Sequence, residues 1–174
     1  MATTTQFHIG TVSEGTLRTE DLLETFADEL ERLGGDATLI ARVQAVAMNS
    51  HDMEYEEHSG WERCNNCGQT EDDMDYFCPE WETTETAVWL VDNLEEALNE
   101  YCPPFIYFGT HPGDGADFGY WPDMDALEDA LRYGEDTDDD ETRYLPEDNV
   151  LVHVSDHGNV TVMDMDRQVL WSVV

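Results

Sequence analysis

The chain predicts an α+β fold: three to four helices packed on a small antiparallel C-terminal sheet, with an inserted cysteine-rich module. Three observations carry that expectation. Residues 19–101 contain three segments with apolar side chains at helical spacing. Residues 150–173 alternate valines between turn signals. Residues 51–82 fit neither pattern, yet hold three of the four cysteines and two of the six histidines. We therefore expect one α+β domain over residues 1–174, with 51–82 inserted as a zinc-knuckle module.

Taken in order, Phe7–Val12 reads as a short strand or an extended lead-in. Thr19 is placed to cap a first helix, with Glu20 and Asp21 in the first turn, where carboxylates favour the helix dipole. Leu22, Leu23, Phe26, Ala27, Leu30 and Leu33 share one face, and Gly34-Gly35 stops the helix. Asp36 caps a second helix with Leu39, Ile40, Val43, Val46 and Ala47 inward. A third runs from about Thr84 to Tyr101 with Val88, Val91, Leu94, Ala97 and Leu98 inward, ended by Pro103-Pro104.

Phe105–Phe108 reads as a buried strand and 111–122 as a glycine-rich loop. Asp123 caps a short helix carrying Met124, Leu127, Ala130 and Leu131. Gly134–Asp148 is acidic and reads as a solvated loop. Val150, Val152 and Val154 then face Val160 and Val162 across the turn signal Asp156-His157-Gly158-Asn159. Asp166-Arg167 allows a second turn into Val169, Trp171 and Val173.

Charge limits function more sharply than pattern does. The chain has no lysine; seven arginines face 41 acidic residues, for a net charge of −34 over 174 residues. Direct binding of nucleic acid or an anionic membrane needs a basic footprint, so both are excluded as the main activity. At about one charge per 1.7 Å of duplex, this charge matches roughly 58 Å of DNA, whereas a compact domain of this length is about 40 Å across. Two explanations remain: adaptation to high salt, or a negative surface that a partner reads. An apolar fraction of 40% and five tryptophans argue for a packed core despite the charge. The polar start Met1–Gln6 is no signal peptide and no run approaches about 18 apolar residues, so a cytoplasmic protein is expected, its cysteines reduced thiols or metal ligands rather than disulfides.

Cys64-Asn65-Asn66-Cys67-Gly68, with Cys78 further on, is the sharpest local motif. CxxC followed by glycine forms a knuckle that directs two thiolates at one tetrahedral zinc ion. His58, His51 or Cys102 completes the set, with His58 preferred. Such a closed zinc site would be structural and non-catalytic. The competing readings are reduced thiols in a loop or a CxxC redox pair, and no thioredoxin-like βαβ pattern surrounds the motif.

His111, Asp114 and Asp117, with Asp156, His157 and Asn159, invite comparison with two-metal phosphoesterases, where carboxylates bridge the ions. Turn chemistry accounts for the same residues: glycines at positive φ and aspartates in Asx turns. The aromatics Phe105, Tyr107, Phe108, Phe118, Tyr120 and Trp121 read chiefly as core, with a Tyr120–Trp121 edge as an alternative partner anchor.

Three stretches, Phe7–Ser13 with Thr16–Leu23, Pro104–Asp123, and Ser155–Thr161 with Leu170–Val174, resemble a group of small acidic phage- and plasmid-borne proteins that carries no assigned activity. The resemblance covers the ends of the chain and not its cysteine-bearing middle. It implies a mobile-element origin, and mobile elements often carry acidic inhibitors of host defence nucleases. It transfers no catalytic residue.

The expected function is therefore non-enzymatic: a DNA mimic, an anti-defence inhibitor such as an anti-restriction or anti-CRISPR protein, that occupies a basic nucleic-acid-binding surface of a host protein. The acids expected at that interface are Asp136, Asp138, Asp139, Asp140 and Glu141, then Glu54, Glu56, Glu57, Asp72 and Asp73. The expected cofactor is a structural zinc on Cys64, Cys67, Cys78 and His58. The alternatives are a halophilic accessory protein without mimicry, and a metal-dependent phosphoesterase using His111, Asp114, Asp117, Asp156 and His157.

Overall fold

The computed structural model describes residues 7–51 and 85–174, with side chains over 7–44 and 87–174. Within these bounds the chain is α+β, with four helices and antiparallel sheets. It divides into two compact units. The first draws on described residues within Met1–Thr11, Cys102–His111 and Gly119–Val174; the second on those within Val12–Tyr101 and Pro112–Phe118.

The second unit is built on three helices. Helix α1, Thr19–Arg32, buries Leu22, Leu23, Phe26, Ala27 and Leu30, the face that the apolar spacing predicts. Its cap differs from expectation. Arg18 occupies the N-cap with no side-chain capping bond, and Thr19 is already helical. The entry is organised instead by Thr16, whose Oγ1 accepts from the Arg18 N–H at 3.1 Å and donates to Asp21 Oδ2 at 2.7 Å. At the other end the Gly34 N–H donates to the Glu31 carbonyl and the Gly35 N–H to that of Leu30, while Gly34 sits at φ +77. This is the paired 5→2 and 6→1 closure that a left-handed glycine permits.

Helix α2, Ala37–His51, starts as predicted: Asp36 Oδ1 accepts from the Thr38 N–H at 2.7 Å. Helix α3, Glu85–Asn99, packs on α1 and α2. Its inward row is Ala87, Leu90, Leu94 and Leu98, each 0% exposed, whereas Val88 is 46% exposed. The expected row starting at Val88 is thus rotated by about one residue. The leucines win because they remove more apolar area than valine and leave their row unbroken by acids.

The first unit holds a five-stranded meander, β4-β5-β6-β7-β8, antiparallel throughout. Its strands are β4 Glu135–Asp136, β5 Thr142–Leu145, β6 Val150–Val154, β7 Val160–Met163 and β8 Val169–Val173. The 155–159 turn closes through Ser155 N–H to Asn159 O and Gly158 N–H to Ser155 O, with Gly158 at φ +83. Trp171 is fully buried in this unit, and its Nε1 donates to the Pro104 carbonyl at 2.8 Å. Helix α4, Met124–Tyr133, packs against β5, and Asp123 Oδ1 caps it by accepting from the Ala126 N–H at 2.9 Å. Leu127 is buried there, while Met124 is 45% exposed.

Two expectations of loop are corrected. Residues 114–122 form a strand, β3, that pairs with both β1, Gly10–Glu14, and β2, Ile106–His111, in the order β1-β3-β2. Pairing on both sides overrides the turn preference of Asp114, Gly115 and Gly119. Gly119 has its own reason: a Cβ there would lie 2.2 Å from the Gly10 carbonyl oxygen, so only glycine admits so close a strand. The acidic run, likewise, is a β4–β5 hairpin rather than a free loop, with Glu135 opposite Tyr144 and Asp136 opposite Arg143.

Candidate acidic interface

The turn between β4 and β5 gathers Asp136, Asp138, Asp139, Asp140 and Glu141, all exposed. Its geometry is set by one carboxylate and two threonines. Asp139 Oδ1 accepts from the Glu141 N–H at 3.2 Å, and Asp139 Oδ2 accepts from Thr142 Oγ1 at 3.0 Å. Thr137 Oγ1 accepts from the Asp139 N–H and lies 2.9 Å from the Thr142 carbonyl oxygen. The bond from the Glu141 N–H, then that from the Thr142 hydroxyl, hold the Asp139 carboxyl below the usual aspartate range. Asp139 is thus engaged in building the turn, while its neighbours face solvent.

His153 supports the hairpin from β6, where it pairs across from Thr142. Its Nδ1 lies 3.3 Å from Thr142 Oγ1 and its Nε2 lies 3.6 Å from Glu141 Oε2. Arg143 braces the other strand: one guanidinium nitrogen is 3.4 Å from Asp136 Oδ1 and another donates to the Gly134 carbonyl at 2.6 Å. The Asp136 side chain is still 90% exposed.

A second acidic feature is absent from the expectations drawn from sequence. Glu24, Asp28 and Glu31 are exposed on α1 at one-turn spacing, opposite its apolar face. Asp92, Glu96 and Glu100 are exposed along and just beyond α3 in the same way. Beside them, burial and then the Asp92 charge raise the Glu95 carboxyl above its ordinary value. The signal is a 3.6-residue period of acids, which attention to apolar periodicity alone passes over.

The remaining expected residues fall out as follows. Cys64, Cys67, Cys78 and His58, with Glu54, Glu56, Glu57, Asp72 and Asp73, lie outside the described residues. Cys102, the alternative zinc ligand, is half-buried, and burial pushes its thiol up to about 11. Among the described residues no three His, Cys, Asp or Glu side chains are grouped to hold a metal ion. Of the phosphoesterase candidates, His111 stands edge-on to Trp121 at 4.6 Å between centroids, and Asp114 Oδ1 accepts from the Ala116 N–H. The Tyr120 half of the Tyr120–Trp121 edge is corrected: Tyr120 is 1% exposed core against Phe108 and Phe7, whereas Trp121 is half-buried, with its Nε1 donating to the Gly109 carbonyl at 3.0 Å. No described helix is long and apolar enough to cross a membrane. Comparison of the chain with known protein families, characterised proteins and solved structures found no match.

Proposed function

We propose that this chain is a non-enzymatic acidic protein, a DNA mimic of the anti-defence kind, that binds a basic nucleic-acid-binding surface of a host protein. The observation that carries the reading is the ordering of exposed acids into rows. Glu24, Asp28 and Glu31 on α1, and Asp92, Glu96 and Glu100 along α3, step by three or four residues, about 4.5–6 Å. That step is wider than the charge repeat along one nucleic-acid strand, about 3.4 Å of axis, by less than twofold, so the rows present phosphate-like charge at somewhat lower density. A separate candidate patch in the first unit is the β4–β5 turn, with Asp136, Asp138, Asp140 and Glu141 held in place by Asp139. Glu54, Glu56, Glu57, Asp72 and Asp73 are further interface candidates on sequence grounds alone, and Cys64, Cys67, Cys78 and His58 are the candidate ligands of a structural zinc.

The test is capture by the tagged chain from host lysate at about 0.15 M salt, repeated at about 1 M, where the screening length falls from roughly 8 to 3 Å. The expected result is a nucleic-acid-binding protein that is lost at high salt and displaced by DNA. Reversing Asp136, Asp138, Asp140 and Glu141 to lysine should weaken that capture by about tenfold or more. Unchanged capture removes the turn from the interface. Folded protein that captures no such partner defeats the reading.

A second reading, salt adaptation without mimicry, is favoured by the spread of acids over α1, α3, α4 and the 136–141 turn alike. It predicts a chain that unfolds in dilute buffer, regains structure in molar salt, and binds no basic protein specifically.

A further inference from the structure

Trp89 is 45% exposed on α3, beside Val88 at 46%, whereas the opposite face of the helix is fully buried leucine. A large aromatic left in solvent among acids is an unusual use of apolar surface, because aromatic side chains dominate interface hot spots. Helical spacing puts Trp89 in line with Glu96 and Glu100, and flanks it with Asp92. One cation already uses the ring: the Arg42 guanidinium from α2 lies 4.4 Å from its centroid. Guanidinium stacks on an indole face, whereas an ammonium meets it as a hydrated point charge.

We infer that the outward face of α3, centred on Trp89 and bordered by Asp92 and Glu96, is a docking surface for an arginine-bearing segment of a basic protein partner. The acids attract the segment, and the indole discriminates arginine from lysine. Charge complementarity commits the occupant: an apolar or acidic segment would meet a carboxylate row, and a lysine segment would gain the attraction without the stacking. Arg42 acts as a stand-in that the incoming arginine displaces or joins on the opposite ring face. The inference rests on the basic-partner reading and adds the chemistry of the partner's side chain.

The probes are two peptides of equal length and charge, octa-arginine and octa-lysine, titrated into the full chain by calorimetry at low salt. Guanidinium also pairs bidentately with carboxylates, so the readout is the change in the affinity ratio when the indole is removed. The indole is expected to contribute about two- to fivefold to the ratio in favour of arginine, the range of an exposed cation–π contact. Trp89→Ala should lower the ratio by that factor, Trp89→Phe should lower it by less, and Arg42→Ala should raise it. Glu147→Gln with Asp148→Asn, exposed between β5 and β6, should leave it unchanged. Should Trp89→Ala not fold, Trp89→Phe and Arg42→Ala still decide. A ratio of one in the parent chain, or one insensitive to Trp89 and Arg42, overturns the inference while leaving the basic-partner reading standing. An arginine preference that holds while DNA-competed capture fails would defeat that reading alone.

Discussion

The Thr142 hydroxyl donates to the Asp139 carboxylate across 3.0 Å, from a residue 2% exposed to one standing in solvent. Through this bond the sheet interior sets the conformation of the acidic turn. Threonine suits the position on two counts, since its methyl adds apolar bulk in the sheet and its hydroxyl reaches the carboxylate.

Thr142→Val keeps the β-branched shape and deletes the donor. Its melting temperature should fall by about 2–4 °C, the shift for one lost hydrogen bond in a chain of this size. The Asp139 carboxyl is held down in the folded state, so its contribution is present above the ordinary aspartate value of about 3.9 and is lost as pH falls through the lower folded value. Carbon-detected NMR titration should place the Asp139 midpoint below that of an unperturbed aspartate, and Thr142→Val should move it up. A midpoint at the ordinary value would refute the turn geometry.

Gly119→Ala places a methyl 2.2 Å from the Gly10 carbonyl oxygen, where only backbone can yield. A loss of about 2 kcal/mol or more is expected from denaturant midpoints. Gly115→Ala is the control in the same strand, since nothing lies within 4 Å of its added Cβ, and it should change stability by less than about 0.5 kcal/mol. Equal effects at the two sites would argue against close β1–β3 pairing.

Burial pushes the Cys102 thiol up to about 11. Peptide mapping after brief alkylation near pH 8 should find Cys102 labelled far more slowly than in the denatured chain. The neutral thiol is the form the folded state favours. Stability from this group is therefore complete below the ordinary thiol range and is lost as pH rises from there through about 11. Labelling as fast as in denaturant would contradict that environment.

The zinc reading of Cys64, Cys67, Cys78 and His58 predicts one zinc per chain by elemental analysis of protein purified without chelator. Cys64→Ser combined with Cys67→Ser should abolish it, and Cys102→Ser should not. Metal retained by the double variant would reject this ligand set.

Helix positions were legible because local chemistry and periodicity agree there. Asp36 and Asp123 cap α2 and α4, Gly34 and Gly35 end α1, and the apolar row Leu22, Leu23, Phe26, Ala27 and Leu30 is buried as its spacing demands. The β6–β7 hairpin was legible for the same reason, through alternating valines and the Gly158 turn. The acidic candidates at 136–141 were legible by composition, but not the division of labour that assigns Asp139 to the turn.

What the amino-acid order determined by itself is the charge, the helices with local start and stop signals, and the valine hairpin. These depend on residues within a few positions of one another. Tertiary structure alone decided that Asp114–Pro122 is a strand, that Glu135 and Asp136 pair with β5, and that α3 turns Leu90 inward and Trp89 outward. Each of these depends on a partner brought in by the fold: Gly10 beside Gly119, Arg143 and Tyr144 opposite the acids, and α1 against α3. Backbone pairing and buried area outweigh the turn preference of glycine and aspartate only once such a partner is in place.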